Sequence, residues 1–288
     1  MPDKKSSVAM IAELTKWKLS LAVAFSSVTG FLISSGGVDS DLAVVAAGVF
    51  LLSSGAAALN QYTERSSDAL MARTAGRPLP SGRMKPGAAI VTAVTLLVSG
   101  SLLLAFTGRM PFILGLVNVL LYNVIYTGLK KRTTLAILPG ALVGAIPPVI
   151  GYTSAGGAMT DTVIMFFALF MFLWQIPHFW LLLVRYGSEY EKAGFKTPFS
   201  TTDGGKIKHI VFIWIIVSSL ALWILGAIFM PLPASAGTLL LILNIGFILL
   251  FRQIINLPET DNRSNHAFIL INSFSILVMI VLIAVFNL

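Results

Sequence analysis

The chain has 288 residues, of which 56% are hydrophobic and only 11% charged, whereas about 25% are charged in an ordinary soluble domain. Its mean hydropathy is +0.88. There are too few charged side chains to cover a water-soluble globule, so most of the surface must face lipid. The formal net charge of +8 does not indicate a nucleic-acid partner, because the basic residues are scattered between apolar runs. The absence of cysteine excludes disulfides, thiolate metal sites and cysteine nucleophiles.

Nine apolar segments are long enough to cross a bilayer, since a spanning helix needs about 20 mostly apolar residues. They are residues 17–36, 42–62, 88–106, 111–128, 135–154, 162–184, 209–229, 235–252 and 267–287. Several contain glycine, alanine and serine, which let helices approach closely within lipid. The sequence therefore predicts an all-α, polytopic membrane bundle of about nine transmembrane helices. We expect it to form one integral-membrane domain over residues 1–288.

The basic residues are divided unevenly between the two sides of this predicted bundle. Of the 20 lysines and arginines, 19 precede the first span or fall in every second connection, and Arg109 alone lies on the other side. Because cytoplasmic connections carry the excess of positive charge, we predict that the N-terminus is cytoplasmic and the C-terminus outside. Two long inner connections, 63–87 and 185–208, carry charges of both signs. These connections are where we expect chemistry.

A regular series of polar residues leads into the first long connection. Asn60, Glu64 and Asp68 are spaced by four residues, which places them on one face of a helix leaving the membrane. Carboxylate and amide oxygens suit Mg²⁺, which is usually held by one or two carboxylates together with substrate phosphates. Arg73 and Arg77 follow closely and can bind phosphate oxygens. The pattern suits a magnesium–diphosphate site, but the spacing alone is more often that of a solvated helix end with ordinary exposed charges.

The same segment resembles a known family motif. It has the pattern N-x-x-x-(D/E)-x-x-x-D, followed by M-x-R-T and R-P-L-P-x-G. The matching residues are Asn60, Glu64, Asp68, Met71, Arg73, Thr74, Arg77, Pro78, Leu79, Pro80 and Gly82. This pattern is similar to the first acidic motif of the UbiA superfamily of intramembrane prenyltransferases and, more narrowly, to that of the protohaem IX farnesyltransferase (haem O synthase) family. Many members have a further aspartate where this chain has Ser66.

A second matching segment begins at the inner end of the fourth span. Tyr126, Lys130 and Lys131 place a phenol and two cations there. These residues alone fit an aromatic belt with a positive-inside anchor at least as well as a binding site. The glycines and prolines of residues 140–151 predict a helix interrupted at membrane depth, which is tolerated where the backbone lines a cavity. The segment resembles the basic cluster and G-A-x-P-P-x-x-G of haem O synthases.

The third matching segment carries W-x-x-P-H-F at residues 174–179. Trp174 and His178 adjoin a proline that bends the sixth span. From the residues alone, a membrane histidine is as often a packing feature as a ligand, but W-x-x-P-H-F is similar to the haem O synthase signature. Glu189 follows in a (D/E)-Y-x-x-A-G pattern, where aspartate is usual. Without the resemblance, Glu189 would belong to an ordinary charged loop.

The resemblance implies an enzyme that joins farnesyl diphosphate to a vinyl group of haem b with addition of water, giving haem O. It implies Mg²⁺ as cofactor, held by the catalytic residues Asn60, Glu64, Asp68 and Glu189. The residues it implies for diphosphate binding are Arg73, Arg77, Lys130, Lys131 and Tyr126, and those for the haem side are Trp174 and His178. It further implies a bacterial plasma (inner) membrane protein with haem A synthase or oxidase-assembly partners.

Two alternatives remain open from the sequence. The protein could prenylate an aromatic or quinone precursor, although W-x-x-P-H-F argues against this. It could also be a haem-binding or transport protein without catalysis, but transporters place their polar site near the bilayer midplane, whereas these carboxylates cluster at one face. Which residue positions the added water is undecided between His178 and Tyr126. Beyond about residue 210 the sequence is apolar span without diagnostic residues.

Overall fold

The computed structural model describes residues 6–197, 204–229, 232–256 and 261–287, and within these ranges the chain is helical and contains no strand. The α-helices are α1 (Ser7–Leu14), α2 (Trp17–Ser35), α3 (Ser40–Asp68), α4 (Ala72–Ala75), α5 (Pro86–Thr107), α6 (Arg109–Leu120), α7 (Thr127–Leu129), α8 (Ile137–Ser154), α9 (Thr162–Lys192), α10 (Gly204–Ile224), α11 (Ala234–Asn256) and α12 (Asp261–Asn287). Two π-helical turns, Leu121–Tyr126 and Leu225–Phe229, and a 3₁₀ turn, Thr134–Ala136, complete the secondary structure.

Nine helical segments within the described ranges are long and apolar enough to cross a membrane, which confirms the predicted all-α bundle. Two of them extend well beyond the predicted spans at their C-terminal ends. The second span continues to Asp68 and the sixth to Lys192. Parts of both predicted long connections are therefore helical, and Glu189 lies on the last turns of α9 instead of in a loop.

The predicted interruption of the fifth span is wrong, because α8 runs continuously from Ile137 to Ser154 with Pro147 and Pro148 inside it. A proline has no N–H and leaves the carbonyl four residues earlier without its helical partner. Those carbonyls belong to Val143 and Gly144, which face the large cavity described below. The helix thus stays continuous where it passes the cavity.

The small residues of α8 serve close helix packing against α2. A Cβ added at Gly151 would overlap the carbonyl of Ser27, and one added at Gly30 would overlap the carbonyl of Pro148. The two backbones are therefore in direct contact, as small residues allow within lipid. A similar contact joins α3 to α5, where a Cβ at Gly100 would lie 2.6 Å from the amide nitrogen of Leu52.

The last helix closes the bundle by packing against both α2 and α9. Its contacts with α9 include the edge-to-face pair of Phe170 and Phe274, whose ring centroids are 6.5 Å apart. Phe274 also stacks on Phe247 of α11 at 4.0 Å. These buried aromatic residues fix α12 in place, so that the helices nearest the two ends of the chain form adjacent walls of one interior space.

Candidate functional site

A cavity of about 640 Å³ lies inside the bundle and reaches the C-terminal ends of α3 and α9. One end of it is polar and is lined by Lys16, Lys18, Asn60, Glu64, Asp68, Arg73, Arg77, Lys130 and Tyr190. The other end is mainly apolar and is lined by residues such as Val23, Val49, Leu52, Val143, Ile150 and Leu182. The space is suited to a molecule with an anionic head and a long apolar tail.

The predicted series on α3 does face one space. Asn60, Glu64 and Asp68 are only 2%, 6% and 2% exposed, and all three line the cavity. Both polar atoms of the Asn60 amide have a partner. Its Oδ1 lies 3.4 Å from Lys16 Nζ, and its Nδ2 donates to Thr127 Oγ1 at 3.1 Å. Since the cation faces the oxygen, Asn60 already presents a ligand atom to positive charge.

Both buried carboxylates are paired with cations. Asp68 Oδ2 accepts a hydrogen bond from Arg77 Nη1 at 2.7 Å, and Glu64 Oε1 forms an ion pair with Lys130 Nζ. The five basic and two acidic side chains that line the cavity leave a formal excess of three positive charges. Buried charges are tolerated when they are paired, and the excess makes this end of the cavity attractive to a multivalent anion.

Lys130 is held in a narrow position between aromatic rings. Its Nζ lies 5.1 Å from the Tyr126 ring centroid and 5.2 Å from that of Phe195. Burial lowers the pKa of Lys130, and the neighbouring Glu64 carboxylate opposes that shift. Tyr126 belongs to the π-helical turn and stacks on Tyr122 with ring centroids 5.9 Å apart. Both tyrosines line the cavity, in keeping with the frequent location of π turns at functional sites.

Arg73 joins the short helix α4 to the end of α9. Its Nη2 donates to the Tyr190 hydroxyl at 3.0 Å, and its backbone amide donates to Glu189 Oε2 at 3.3 Å. The guanidinium also lies over the Tyr186 ring, 5.1 Å from the centroid. Arg73 and Tyr190 line the cavity, whereas Glu189 lies beside it and does not. The predicted Glu189 carboxylate therefore contacts the backbone of a cavity residue instead of the cavity itself.

Two other predicted residues also lie outside the cavity lining. Lys131 is exposed, with its Nζ 5.6 Å from the Phe195 ring centroid. Trp174 is buried between helices, where its Nε1 donates to the carbonyl of Ile271 at 2.9 Å. Its indole contacts the ring of His178, with centroids 5.1 Å apart. Trp174 therefore packs behind a cavity-lining residue and does not line the cavity itself.

His178 lies in the cavity wall away from the ion pairs, with Gln175 and Phe179 on the same helix. Facing glycines on α8 keep this region open. A Cβ at Gly144 would lie 3.0 Å from the Gln175 amide, and one at Gly140 would lie 2.9 Å from the Tyr126 ring. The glycines at the start of the G-A-x-P-P-x-x-G region therefore leave room for the Gln175 and Tyr126 side chains in this part of the cavity.

Residues 23–285 match the UbiA prenyltransferase family. The chain belongs to that family. Among curated UbiA relatives, the protohaem IX farnesyltransferase of Nitratidesulfovibrio vulgaris is 32% identical over 86% of each chain. That of Geobacter sulfurreducens is 42% identical over 66% of this chain and 70% of the relative.

The fold is also that of solved UbiA structures. A digeranylgeranylglyceryl phosphate synthase superposes with a TM-score of 0.76 at 18% identity, covering 97% of this chain and 98% of the other. A UbiA homologue from Archaeoglobus fulgidus bound to GPP and Mg²⁺ superposes with a TM-score of 0.70 at 13% identity, covering 97% and 100%. At these identities the likeness establishes the fold, and the residues of this UbiA chain must carry the argument about its substrates.

The acidic residues can be compared with the needs of the divalent metal that UbiA resemblance implies. Among the described residues there is no group of three histidine, aspartate or glutamate side chains that could hold a metal ion. Glu64, Asp68 and the Asn60 oxygen nevertheless face one cavity. Two carboxylates with substrate phosphates and water suffice for Mg²⁺. The residues therefore fit a metal that binds together with its substrate.

The structure adds cavity residues that the sequence did not single out. Tyr122 belongs to the π turn, and Phe268 and Asn272 come from α12. The region after about residue 210, in which the sequence has no diagnostic residues, therefore contributes to the cavity wall through α12. A usable signal was present, because an asparagine within an apolar span is costly and often functional. What it faces depends on packing between helices far apart in sequence.

Lys16 is another unpredicted cavity residue, and it directly precedes the first span. It is the one non-glycine residue with a positive φ, 49°, in the described part of the chain. This left-handed conformation costs about 1–3 kcal/mol and separates α1 from α2. It holds Lys16 Nζ against Asn60, where sequence analysis counted Lys16 only as a positive-inside charge.

The pKa of Lys16 gives a testable pH dependence. Burial, with repulsion from Arg77 and Lys130, lowers this pKa from 10.5 to about 7. Between pH 7 and 10.5 the unfolded chain therefore binds more protons than the folded protein, so this residue makes stability rise with pH in that window. We expect the Tm of the detergent-solubilised protein to rise less between pH 7 and pH 9 in Lys16→Met than in the wild type. Parallel pH profiles would contradict this assignment.

Proposed function

We propose that this UbiA chain is a protohaem IX farnesyltransferase, which transfers the farnesyl group of farnesyl diphosphate to a vinyl group of haem b with addition of water. The observation that carries the proposal is the polarity of the 640 Å³ cavity. Its cationic end holds two buried carboxylates, and its apolar part runs into the membrane past His178. The W-x-x-P-H-F segment and the names of the curated relatives support haem b as the acceptor.

The two ion pairs suggest how the diphosphate is received. Arg77 forms an ion pair with Asp68, and Lys130 forms one with Glu64. A diphosphate offers these cations more negative charge than a carboxylate does, and guanidinium binds phosphate oxygens in bidentate geometry. Substrate binding then turns the cations towards phosphate and releases carboxylate oxygens. Arg73 and Lys16 stand at the same end of the cavity and add to the attraction.

We propose that Asn60, Glu64 and Asp68 hold Mg²⁺ together with the substrate phosphates. Bound Mg²⁺ supplies positive charge that stabilises the diphosphate as it leaves. The side chains of Arg77 and Lys130 stabilise the same charge, since preorganised groups aimed at developing charge lower a reaction barrier. The apolar walls keep bulk water away from the allylic cation.

Glu189 was predicted to be a fourth metal ligand, and we propose a positioning role for it. Its Oε2 accepts a hydrogen bond from the Arg73 amide, so it fixes α4 and with it the Arg73 side chain. Glutamine keeps an oxygen for this bond, whereas alanine does not. We therefore expect Glu189→Gln to retain at least about a third of wild-type turnover and Glu189→Ala to lose more than about tenfold, the scale of a lost orienting contact. Equal, large losses in both variants would favour the ligand role.

The distribution of basic residues supports a proposal for the direction of the protein in the membrane. We propose a bacterial plasma membrane location with the cavity's charged end and the N-terminus in the cytoplasm, where the basic connections lie. Farnesyl diphosphate then reaches the cations from the aqueous side, while its tail enters the bundle. Association with haem A synthase or oxidase-assembly proteins stays a prediction from family resemblance.

The decisive experiment is direct conversion. Purified protein in detergent, supplied with haem b, farnesyl diphosphate and Mg²⁺, should form haem O, detected by chromatography with mass measurement. A parallel reaction contains 4-hydroxybenzoate in place of haem b. Prenylation of the aromatic acid without conversion of haem would favour the quinone-precursor alternative. Haem binding without product from either acceptor would favour a non-catalytic protein.

A further inference from the structure

Thr127 joins the acidic face of α3 to the π turn that carries the cavity tyrosines. It directly follows that turn and is only 7% exposed. Its hydroxyl has two partners, because Oγ1 donates to the carbonyl of Tyr122 at 2.8 Å and accepts from Nδ2 of Asn60 at 3.1 Å. A single buried hydroxyl therefore connects two walls of the cavity, although Thr127 itself does not line it.

The chemistry of the partners fixes the direction of each hydrogen bond. A backbone carbonyl only accepts, so the one hydroxyl hydrogen of Thr127 is used by Tyr122. The Thr127 oxygen can then only accept from Asn60, which requires the amide nitrogen on this side. On the other side the ammonium of Lys16, which only donates, lies 3.4 Å from Oδ1. The orientation of the Asn60 amide thus follows from its two neighbours.

This orientation matters because an amide binds a metal ion through its oxygen. Nδ2 carries two hydrogens, and a flipped amide would turn N–H groups towards a cation. The contact of Oδ1 with Lys16 is long for a hydrogen bond, whereas the bond to Thr127 has an ordinary length. A bound dication also repels the Lys16 ammonium. The bond to Thr127 is therefore the contact that can hold the amide when a metal is present.

A second contact keeps the π turn against α3 independently of the hydroxyl. Asn123 Nδ2 donates to the carbonyl of Ala56 at 2.9 Å. These two residues lie four positions before Thr127 and Asn60, respectively, so the two bonds are at successive turns of the same pair of elements. Removal of the Thr127 hydroxyl should therefore leave the packing of the π turn in place.

Building on the proposed farnesyl transfer and its magnesium site, we propose that Thr127 is a positioning residue that holds the Asn60 amide with Oδ1 directed at the metal. Residues of this kind support a ligand without touching the metal, and their removal typically lowers metal affinity by about 10–100-fold. The effect belongs to the hydroxyl group and not to the volume of the side chain. It should consequently be lost in valine and kept in serine.

The test measures metal binding without turnover. Full-length protein in detergent is mixed with farnesyl thiodiphosphate, in which sulfur replaces the oxygen of the bond that breaks, and is titrated with Mn²⁺. Mn²⁺ accepts the same oxygen ligands as Mg²⁺, and electron paramagnetic resonance counts its free form. We expect Thr127→Val to raise the Kd for Mn²⁺ by at least about tenfold and Thr127→Ser to bind Mn²⁺ as the wild type does.

Thr153→Val is the matched control. Thr153 is equally buried, at 7% exposure, but its hydroxyl donates to carbonyls of its own helix, and it does not line the cavity. Unchanged Mn²⁺ affinity in folded Thr127→Val, or an equal loss in Thr127→Ser, would overturn the proposal. If Thr127→Val does not elute as a folded protein, Thr127→Ala removes the same hydroxyl without a branched side chain and decides.

A double-mutant cycle separates orientation of the amide from general loosening of the site. In an Asn60→Ala background, Thr127→Val should cause no further loss of Mn²⁺ affinity, because no amide is left to orient. Fully additive losses would overturn the proposal, as would a wild type that binds no Mn²⁺ beside the analogue. Failure of the proposed function is distinct, since the wild type would then bind Mn²⁺ with the analogue but form no haem O.

Discussion

Replacing Asp68 by asparagine is expected to lower haem O formation by about 10²–10³-fold, the scale seen when one preorganised charge-stabilising group is removed. Asparagine keeps the shape of the side chain but removes its negative charge. That charge both holds Arg77, 2.7 Å away, and is the proposed ligand for Mg²⁺. The fold should persist, because the Asp68 backbone carbonyl still accepts a hydrogen bond from Thr74 Oγ1 at 2.8 Å.

The control for this variant lies on the same helix. Asp41 is exposed in the first turn of α3, at the end remote from the cavity, and Asp41→Asn should leave turnover within about twofold, since an exposed charge near a helix end contributes less than about 1 kcal/mol. Both variants should elute from size-exclusion chromatography as the wild type does. Near-normal turnover by a correctly folded Asp68→Asn protein would contradict the metal and diphosphate assignment.

Replacing Gly151 by alanine adds only one methyl group, but it should destabilise the folded protein. The added Cβ would overlap the Ser27 carbonyl, which belongs to the backbone of α2. Backbone cannot rotate away as a long side chain can, so the two helices must separate. Overpacking of this kind costs about 1–3 kcal/mol or more. We expect a fall of several degrees in the Tm of the detergent-solubilised protein and loss of activity, because both helices line the cavity.

Gly246 provides a matched comparison for that substitution. It lies within α11, and an added Cβ there would meet nothing within 4 Å. Alanine is favoured over glycine in a helix by about 1 kcal/mol, so Gly246→Ala should keep or raise the Tm. If the two alanine variants had the same Tm, the close contact of α2 and α8 would not be important for stability.

The span pattern and the acidic face could be predicted from sequence because both depend on local spacing. A run of about 20 apolar residues identifies a membrane helix by itself. Asn60, Glu64 and Asp68 share a face whatever surrounds them, provided that the helix continues. The helical fold and the shared face of these three residues can therefore be predicted from the apolar runs and the four-residue spacing. Their partners do not, because Lys130 lies in a different connection and reaches Glu64 only when the bundle closes.

The structure of the regions that the sequence did not predict correctly depends on packing between helices that are far apart in the chain. The Gly–Pro segment of α8 looked like a helix break, but contact with α2 stabilises it as a continuous helix. Glu189 looked like a loop residue because the charged residues after 184 end the apolar segment that predicts the span. The helix itself continues through these charged residues to Lys192. Asn272 gave a weak signal within an apolar span, and its place in the cavity wall depends on packing against helices that come much earlier in the sequence.

The position of α12 has a consequence for biosynthesis of the protein. The helix that carries Phe268 and Asn272 leaves the ribosome after α2, α3 and α9, yet it packs against the first span and completes the cavity wall. A chain still being inserted therefore contains the carboxylates and cations of the polar end, but its apolar chamber is open to lipid on one side. Such an intermediate can attract diphosphate without shielding a reactive carbocation. A closed chamber thus forms only when α12 has been inserted, after the binding charges are already assembled.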